Sequence, residues 1–207
     1  MSPVKIGVLI SGGGTNLQAV IDNTKNENIN GEISLIISNK KEAYGLKRGE
    51  LAGIETLYID AKSFDSDRDY NLKLIEEFKK RNIELIILAG YLKVLSPEFI
   101  KEFKDKIINI HPSLIPQFSG KGYYGERVHK AVLSSGVKTT GATVHFVDEG
   151  TDTGPIILQE IVNVESIDDL NSLKEKVLKI EHKLLVQAVK LYCEDRIKLE
   201  GRLVITN

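Results

Sequence analysis

Cysteine is nearly absent from this chain of 207 residues, which contains only Cys193. A single cysteine excludes an intramolecular disulfide, and no cluster of cysteine and histidine has the spacing of a zinc site. Because Cys193 closes a segment of apolar periodicity, we expect it to be a small core residue. A chain without disulfides fits a reducing compartment, so we expect a cytoplasmic location.

Long apolar runs and an excess of one charge are also missing. No run approaches the roughly 18 apolar residues of a membrane span, and no secretory signal opens the sequence, so no membrane is expected as a partner. Lys and Arg number 28 against 29 Asp and Glu, a net charge of -1. Without a basic stripe, nucleic acid is not an expected partner either. The length fits one domain with a substantial core.

Apolar strands alternating with amphipathic helices are what the sequence does contain. Seven segments are apolar and rich in β-branched residues, as strands are, and most of the segments between them have helical periodicity. The strands are predicted at residues 4–10, 33–37, 56–59, 84–88, 107–111, 139–147 and 156–164. This alternation predicts an α/β, Rossmann-like fold: a mostly parallel twisted sheet of about seven strands with helices on both faces.

Two later helices bear on function. A helix over residues 126–134 is predicted to carry His129 on its surface. A long C-terminal helix over residues 167–193 has an apolar stripe at helical spacing, which Glu181 and His182 interrupt. Gly201 then precedes a last extended segment at residues 202–205.

A glycine-rich loop, Ser-Gly-Gly-Gly-Thr-Asn at residues 11–16, connects the first strand to the first helix. Backbone N–H groups and the helix dipole at such a junction attract an anion, and Thr15 and Asn16 can cap the helix or bind phosphate oxygens. A dinucleotide is not expected, because Leu17 occupies the third glycine position of that motif and no acidic residue ends the next strand. The loop therefore predicts a phosphomonoester site, with a tight capped turn as the alternative.

An amide and an imidazole end the strand at residues 107–111. Asn109 and His111 are two residues apart, so their side chains share one face of a strand, and Pro112 favours an end to the strand there. The amide can donate to a developing oxyanion and the imidazole can move a proton. The alternative is that both are ordinary polar residues at a turn.

Two loops are candidates for the walls of a site. Residues 117–127, rich in glycine and tyrosine, follow the His-Pro turn, where such sheets line ligand crevices; a mobile surface loop is the alternative. Asp148, Glu149 and Asp152 lie between two adjacent strands, which predicts a hairpin-like excursion. A solvated acidic turn would explain them equally well. The spacing is not that of a calcium-binding loop, and no metal is expected.

Four segments together resemble the phosphoribosylglycinamide formyltransferases, over nearly the whole chain and in order. They are residues 11–16, 88–95 (Leu-Ala-Gly-Tyr-Leu-Lys-Val-Leu), 109–116 (Asn-Ile-His-Pro-Ser-Leu-Ile-Pro), and 144–147 with 152–155 (Val-His-Phe-Val and Asp-Thr-Gly-Pro). The resemblance implies formyl transfer from 10-formyltetrahydrofolate, the co-substrate, to the amine of phosphoribosylglycinamide in de novo purine synthesis. It implies a monomer or homodimer that needs no metal.

The resemblance also implies roles for individual residues. It divides the single domain into a phosphate-binding half, about residues 1–105, and a catalytic and folate-binding half, about residues 106–207. The family has an arginine before its third helix; the simplest alignment places Asp67 there and Arg68 one position later. The implied catalytic residues are Asn109, His111 and Asp152; the ribonucleotide contacts are Gly14, Thr15, Asn16 and Glu181; the folate contacts are Arg68, Leu92, Lys93, Val94, Leu95, Asp148, Glu149, Gly150 and Thr151.

Three other functions compete with this interpretation. A formyltransferase acting on initiator tRNA shares the Asn-x-His-Pro segment, but we would expect a further C-terminal domain and a more basic face. A formyltetrahydrofolate hydrolase would be expected to carry an N-terminal regulatory domain. A non-enzymatic nucleotide-binding module explains the glycine loop but leaves Asn109, His111 and Asp152 without a purpose.

Overall fold

A seven-stranded sheet organises the structure, a computed structural model that describes residues 2–206. The strands are β1 (Val4–Ile10), β2 (Gly31–Ser38), β3 (Thr56–Tyr58), β4 (Leu85–Leu88), β5 (Ile107–His111), β6 (Thr139–Phe146) and β7 (Ile156–Asn163). Their order across the sheet is β3-β2-β1-β4-β5-β6-β7. The β1–β2, β1–β4 and β2–β3 pairs are parallel, whereas β6 and β7 are antiparallel. The predicted α/β fold with a mostly parallel sheet is confirmed.

Six α-helices lie between or after these strands in the part of the chain that the structure describes. They are α1 (Thr15–Lys25), α2 (Tyr44–Leu51), α3 (Asp67–Lys80), α4 (Pro97–Glu102), α5 (Glu126–Ser135) and α6 (Leu170–Cys193). The long helix α6 begins three residues later than predicted. Asp169 forms a capping box with Ser172: its side chain accepts from the Ser172 N–H at 2.8 Å, and the Ser172 hydroxyl accepts from the Asp169 N–H at 3.0 Å. This box satisfies the N–H groups at the helix start and stops the helix from extending back to Ile167.

A small antiparallel hairpin follows α6. Its strands are β8 (Ile197–Glu200) and β9 (Leu203–Thr206), which form a separate two-stranded sheet. The sequence predicted only the second strand. The four residues of β8 alternate between half-buried and exposed positions, so they lack the continuous apolar run that identified the buried strands.

The chain forms two compact units, of which the first ends at Ile108 and the second begins at Asn109. In the first unit the strands β1, β2 and β4 each supply four buried apolar residues. On β1, Gly7 leaves room for the ring of Phe78 on α3, since a Cβ there would lie 2.5 Å from that ring. Phe78 packs edge-on against Phe99 and Phe103, which fixes α3 against α4.

In the second unit α6 packs on β6 and β7, and α5 packs on α6. His129 on α5 is only 3% exposed, so the prediction of a surface position is wrong. His129 lies three residues before the buried Val132, on the same side of the helix. Cys193 at the end of α6 is buried, as predicted. Within residues 2–206 no helix is both long and apolar enough to cross a membrane.

Candidate active site

The glycine loop of the first unit brings the backbone of β1 close to α2. Gly14 is the N-cap of α1 and has a left-handed conformation with φ 70°. A Cβ on Gly14 would lie 2.7 Å from the Cα of Gly45, so the close approach requires glycine. The N-cap residue of α1 is Gly14, which has no side chain to form a cap hydrogen bond, so neither Thr15 nor Asn16 occupies the N-cap position. Their phosphate-binding role stays a prediction.

Helix α2 holds the carbonyl groups of this loop. The Gly45 N–H donates to the Gly12 carbonyl at 3.1 Å, and Arg48 Nε donates to the Gly13 carbonyl at 2.8 Å. The first N–H groups of a helix have no acceptor within the helix. With the two carbonyl oxygens held by α2, the start of α1 is suited to an anion. Arg48 was not identified from the sequence, because nothing in the α2 segment marks it as a partner of the loop.

Ser11 connects the ends of β1 and β4, where the strand order reverses and where such sheets bind ligands. Its hydroxyl donates to Asn39 Oδ1 at 2.6 Å and accepts from the Leu92 N–H at 2.9 Å. The Ser11 N–H donates to the Gly90 carbonyl at 3.2 Å. Ser11, the first residue of the glycine loop, is thus hydrogen-bonded to Leu92, the first residue of the segment that the resemblance assigns to folate.

The rest of the folate segment presents apolar side chains to solvent. Leu92 and Val94 are exposed and Leu95 is buried. Lys93 pairs with Asp67 at 2.8 Å and lies over the ring of Tyr70, 5.4 Å from its centroid.

The residues around this segment are also paired. Arg68 pairs with Glu98 at 3.2 Å and its side chain is 67% exposed, so it is accessible to an anionic ligand. The Tyr70 and Tyr91 hydroxyl oxygens lie 2.6 Å apart. Burial raises the pKa of Tyr91, so this hydroxyl stays protonated.

The second unit brings together the three residues predicted to be catalytic. Asn109 and His111 lie two apart in β5, and Asp152 lies in the loop after β6 with a φ of 57°. One carboxylate oxygen of Asp152, Oδ2, lies 3.5 Å from His111 Nδ1; the other, Oδ1, lies 3.7 Å from His145 Nε2. Asn109 Nδ2 lies 3.0 Å from the same His145 nitrogen. His145 therefore lies between the amide and the carboxylate.

His145 is the residue of this cluster that the sequence analysis missed. It is 2% exposed at a register shift where β6 pairs with β7. A signal was available: His145 is the titratable residue of a buried strand, two residues after the buried Thr143 and therefore on the same face.

The loop after the His-Pro turn closes over His111. The Phe118 carbonyl oxygen lies 2.9 Å from His111 Nε2, and the Gly120 N–H donates to Asp152 Oδ2 at 2.9 Å. A carbonyl can only accept, so His111 donates through Nε2. The turn itself is held by Ser113, whose hydroxyl donates to the Gln117 carbonyl at 2.6 Å. Residues 117–120 thus complete the hydrogen bonding of the His111–Asp152 pair.

Opposing effects set the ionisation of this pair. Burial lowers the pKa of His111, and the nearby Asp152 carboxylate and the Phe118 carbonyl partly oppose that shift. Burial raises the pKa of Asp152, but favourable contacts of the carboxylate, among them His111 and the Gly120 N–H, outweigh it, so this pKa lies below its ordinary value. Asp152 is therefore a carboxylate near neutral pH. Both ring nitrogens of His111 face acceptors, an arrangement that can accommodate a protonated ring.

The acidic loop is internally bonded and is also held from the C-terminal hairpin. Asp148 Oδ1 accepts from the Gly150 N–H at 3.2 Å and from the Thr153 hydroxyl. Arg202, in the turn between β8 and β9, donates to the Thr153 carbonyl and lies 3.6 Å from Asp148 Oδ2. Glu149 and Thr151 are exposed in the same loop. The prediction of a hairpin-like excursion is confirmed by the antiparallel pairing of β6 with β7.

Glu181 lies on α6 in the same unit and is 8% exposed. Among the described residues, 2–206, no group of three or more His, Cys, Asp or Glu side chains is arranged to hold a metal ion.

Comparison with known proteins identifies the family. The model of the Formyl transferase family matches residues 4–189. The chain belongs to the formyl transferase family. The chloroplastic phosphoribosylglycinamide formyltransferase of Arabidopsis thaliana is 41% identical over 195 residues, which are 94% of this chain and 67% of that protein. The family resemblance inferred from the sequence is therefore confirmed.

Two further formyl transferase relatives agree with this assignment. The trifunctional purine biosynthetic protein adenosine-3 of Gallus gallus is 42% identical over 95% of this chain, but the chain spans only 19% of that protein. The crystal structure of glycinamide ribonucleotide transformylase 1 from Symbiobacterium toebii has a TM-score of 0.94 at 39% identity, and the match covers 99% of this chain and 94% of that one. The fold and the family are thus supported over 94% of the length of a solved relative.

Proposed function

We propose that this formyl transferase moves a formyl group from 10-formyltetrahydrofolate to the amine of phosphoribosylglycinamide, a step of de novo purine synthesis. The observation that carries the proposal is the cluster of an amide, two imidazoles and an ionised carboxylate in the second unit. Asn109 lies 3.0 Å from His145, and Asp152 lies 3.7 Å from His145 and 3.5 Å from His111. Relatives named as phosphoribosylglycinamide formyltransferase and glycinamide ribonucleotide transformylase support the choice of amine.

Each member of the cluster has a role in this reaction. When the neutral amine attacks the formyl carbon, a tetrahedral oxyanion forms, and the Asn109 amide donates to it. The amine nitrogen must lose a proton and the departing folate nitrogen must gain one. His111 moves these protons, because imidazole titrates near neutral pH. Asp152 orients the ring and favours its charged form. The cluster uses no metal in these steps.

The first unit supplies the proposed phosphate site. The N–H groups of Gly14, Thr15 and Asn16 bind the phosphate of the ribonucleotide at the start of α1. This assignment is supported by the left-handed Gly14 and by the two loop carbonyls that α2 holds. In the second unit Glu181 on α6 contacts the same substrate.

Folate is proposed to bind two segments and one arginine. The segments are Leu92, Lys93, Val94 and Leu95 in the first unit, and Asp148, Glu149, Gly150 and Thr151 in the second. Exposed Leu92 and Val94 offer apolar contact for the pterin and benzoyl rings. Arg68 offers charge to the glutamate tail. Both substrates are small molecules, and we propose that the chain works in the cytoplasm as a monomer or homodimer, apart from nucleic acid and membranes.

An absorbance assay of folate release tests the function. The purified chain is mixed with 10-formyltetrahydrofolate, with and without phosphoribosylglycinamide. Release that requires the amine substrate and yields its formylated product supports the proposal. Release at the same rate without the amine would mean that water is the acceptor, and would favour the alternative, a formyltetrahydrofolate hydrolase.

The Asn109→Ala variant tests the oxyanion role in the same assay. We expect kcat to fall by about 10²–10³, the usual cost of losing one such donor. Folate binding, followed by fluorescence, should change little, because the amide acts on the charge that develops during the reaction. A kcat within about threefold of the native value would mean that Asn109 is structural.

A further inference from the structure

We propose that His145 is a positioning residue: as a neutral ring with its proton on Nδ1, it fixes the orientation of the Asn109 amide. The catalytic consequence rests on the proposed formyl transfer, whereas the tautomer and the amide orientation do not.

The proton on Nδ1 follows from its partner. His145 Nδ1 lies 2.7 Å from the main-chain carbonyl oxygen of Phe146. This oxygen can only accept, so Nδ1 must carry the hydrogen. The carbonyl is itself fixed in place: the Phe146 N–H donates to the Pro155 carbonyl at 2.8 Å, and a Cβ on Gly154 would lie 1.8 Å from the Phe146 oxygen. The acceptor is therefore held beside Gly154 and Pro155, and the His145 ring is 2% exposed.

The amide orientation follows from the tautomer. A neutral ring with its hydrogen on Nδ1 has a lone pair on Nε2. Asn109 Nδ2 lies 3.0 Å from this nitrogen, within hydrogen-bond distance, so it donates. If the amide were reversed, its oxygen lone pairs would face the Nε2 lone pair and repel it. The ring therefore selects one of the two orientations that an asparagine amide can adopt.

Asp152 is the competing partner of the same ring nitrogen. Its Oδ1 lies 3.7 Å from Nε2, beyond ordinary hydrogen-bond distance, whereas Asn109 lies within it. The other oxygen, Oδ2, already accepts from the Gly120 N–H at 2.9 Å and faces His111. A doubly protonated His145 would carry a hydrogen on Nε2 for Asp152 to accept. Asn109 Nδ2 could then not donate to that nitrogen. The observed distances fit the neutral ring.

This arrangement has a consequence for the reaction. An Asn109 amide has two N–H bonds, of which His145 takes one and leaves the other for the substrate oxygen. Without His145 the amide is free to reverse, and the reversed amide presents an oxygen where negative charge develops. Loss of His145 should therefore reduce the chemical step through Asn109 and leave substrate binding nearly unchanged.

Nitrogen-15 NMR of the native chain tests the tautomer directly. Two-bond correlations between ring carbon-bound protons and ring nitrogens distinguish a protonated from an unprotonated nitrogen, and His145→Gln identifies the signals by their loss. At pH 7.5 we expect a protonated Nδ1 and an unprotonated Nε2. A proton on Nε2, in either the other neutral form or the imidazolium, would overturn the proposal. This result does not depend on which reaction the protein catalyses.

A kinetic comparison of two variants tests the consequence. His145→Gln places an amide oxygen near the former Nε2, where it can still accept from Asn109, whereas His145→Leu has similar bulk and cannot accept. We expect kcat to fall about 10- to 100-fold in His145→Leu, approaching the loss of one oxyanion donor. The His145→Gln variant should keep most of the native kcat. KM for both substrates should stay within about twofold.

An Asn109→Ala background separates positioning from mere stability. If His145 acts through Asn109, His145→Leu should cost less than about twofold once Asn109 is absent, since contacting residues are not additive. Equal losses in both backgrounds, or equal activity of the Gln and Leu variants, would overturn the proposal.

The matched control is Thr140→Val. Thr140 lies on the same strand, is 2% exposed, and its hydroxyl has no hydrogen-bond partner within residues 2–206. It should keep native kcat, whereas a loss as large as that of His145→Leu would mean that any polar-to-apolar change in β6 has this effect.

Discussion

At the scale of single residues, Asp152 and His111 form a unit whose members depend on each other. Asp152→Asn keeps the shape of the side chain and removes the charge that favours a protonated imidazole. We expect kcat to fall by at least about 10², the lower range for a positioned proton-transfer group. Binding of both substrates should be nearly normal.

A double-mutant cycle on kcat/KM measures this dependence. Asp152→Asn, His111→Ala and the double variant are compared with the native chain. The double variant should be little worse than the worse single variant, because losing either residue removes most of the same advantage. Fully additive losses would show that the two act independently, and the proton relay would have to be abandoned.

His129 gives a second prediction at this scale, on stability against pH. Burial, with a smaller effect of Lys174, lowers the pKa of His129 to about 4, while Glu126 opposes the shift and His111 adds to it. Its Nδ1 has no partner among the described residues. Between pH about 4 and about 6.5 the unfolded chain binds a proton there that the folded chain does not, so stability rises with pH across this window.

Urea unfolding of the native chain and of His129→Leu checks this expectation. Between pH 6.5 and pH 4 the free energy of unfolding of the native chain should fall by up to about 3 kcal/mol more than that of the variant. This follows from the lowering of the His129 pKa from about 6.5 to about 4. Using the difference between the two proteins removes the contribution of the other groups that titrate in the window. Parallel stability curves for the two proteins would show that burial does not hold His129 neutral.

His129 and His145 also show what the sequence does not reveal about single residues. Apolar periodicity identifies a buried face, but a polar residue at the margin of that face can point either way. His129 was assigned to the surface and is buried. Asn109 and His111 were identified because a proline marks the strand end beside them, whereas no turn residue marks His145 within β6. Burial of a polar side chain depends on distant partners, such as the Asp152 loop.

At the scale of elements, the glycine loop predicts a selective effect on one substrate. Gly14→Val places a side chain at φ 70°, with its Cβ 2.7 Å from Gly45. The loop must shift, and the N–H groups at the start of α1 shift with it. KM for phosphoribosylglycinamide should rise far more than KM for the folate.

Gly12→Ala is the control for this loop. A Cβ at Gly12 meets nothing within 4 Å, and its φ is not in the left-handed range. Steady-state kinetics with each substrate varied in turn should show little change for this variant. If Gly14→Val raised both KM values equally, the phosphate assignment would be contradicted.

Elements with a continuous apolar run were predicted well, whereas the start of α6 and the strand β8 were not. The strands at β1, β4 and β5 are almost wholly buried, so the apolar run identified them. Helix α6 was extended back to Ile167 because Asp169 was not recognised as its cap. The hairpin strand β8 was missed because Ile197 and Leu199 alternate with charged residues over only four positions.

At the scale of the whole molecule, the sequence predicted the order of elements better than the contacts between distant segments. Arg48 on the glycine loop, Gly120 on Asp152 and Arg202 on the acidic loop each join residues far apart in sequence. None of the three belongs to a motif with fixed spacing. These contacts hold segments in place. Sequence motifs therefore identify the candidate reacting residues, whereas the structure is needed to find the residues that hold them.

The single cysteine provides a probe of the whole molecule, because Cys193 is buried at the end of α6. An aromatic disulfide reagent should react with it only when the chain opens, so the labelling rate reports the fraction of open molecules. A folate analogue that binds only the folded chain should slow labelling about 100-fold at 100 times its Kd, equivalent to about 2.7 kcal/mol of stabilisation. The native chain can be used without substitution, because it has one cysteine. The labelling rate of the denatured chain gives the rate for the open state. If the labelling rate did not change when the folate analogue was added, Cys193 would become accessible by fraying of the helix end alone. The expected dependence on ligand requires instead that exposure of Cys193 and loss of the folate site belong to one cooperative opening.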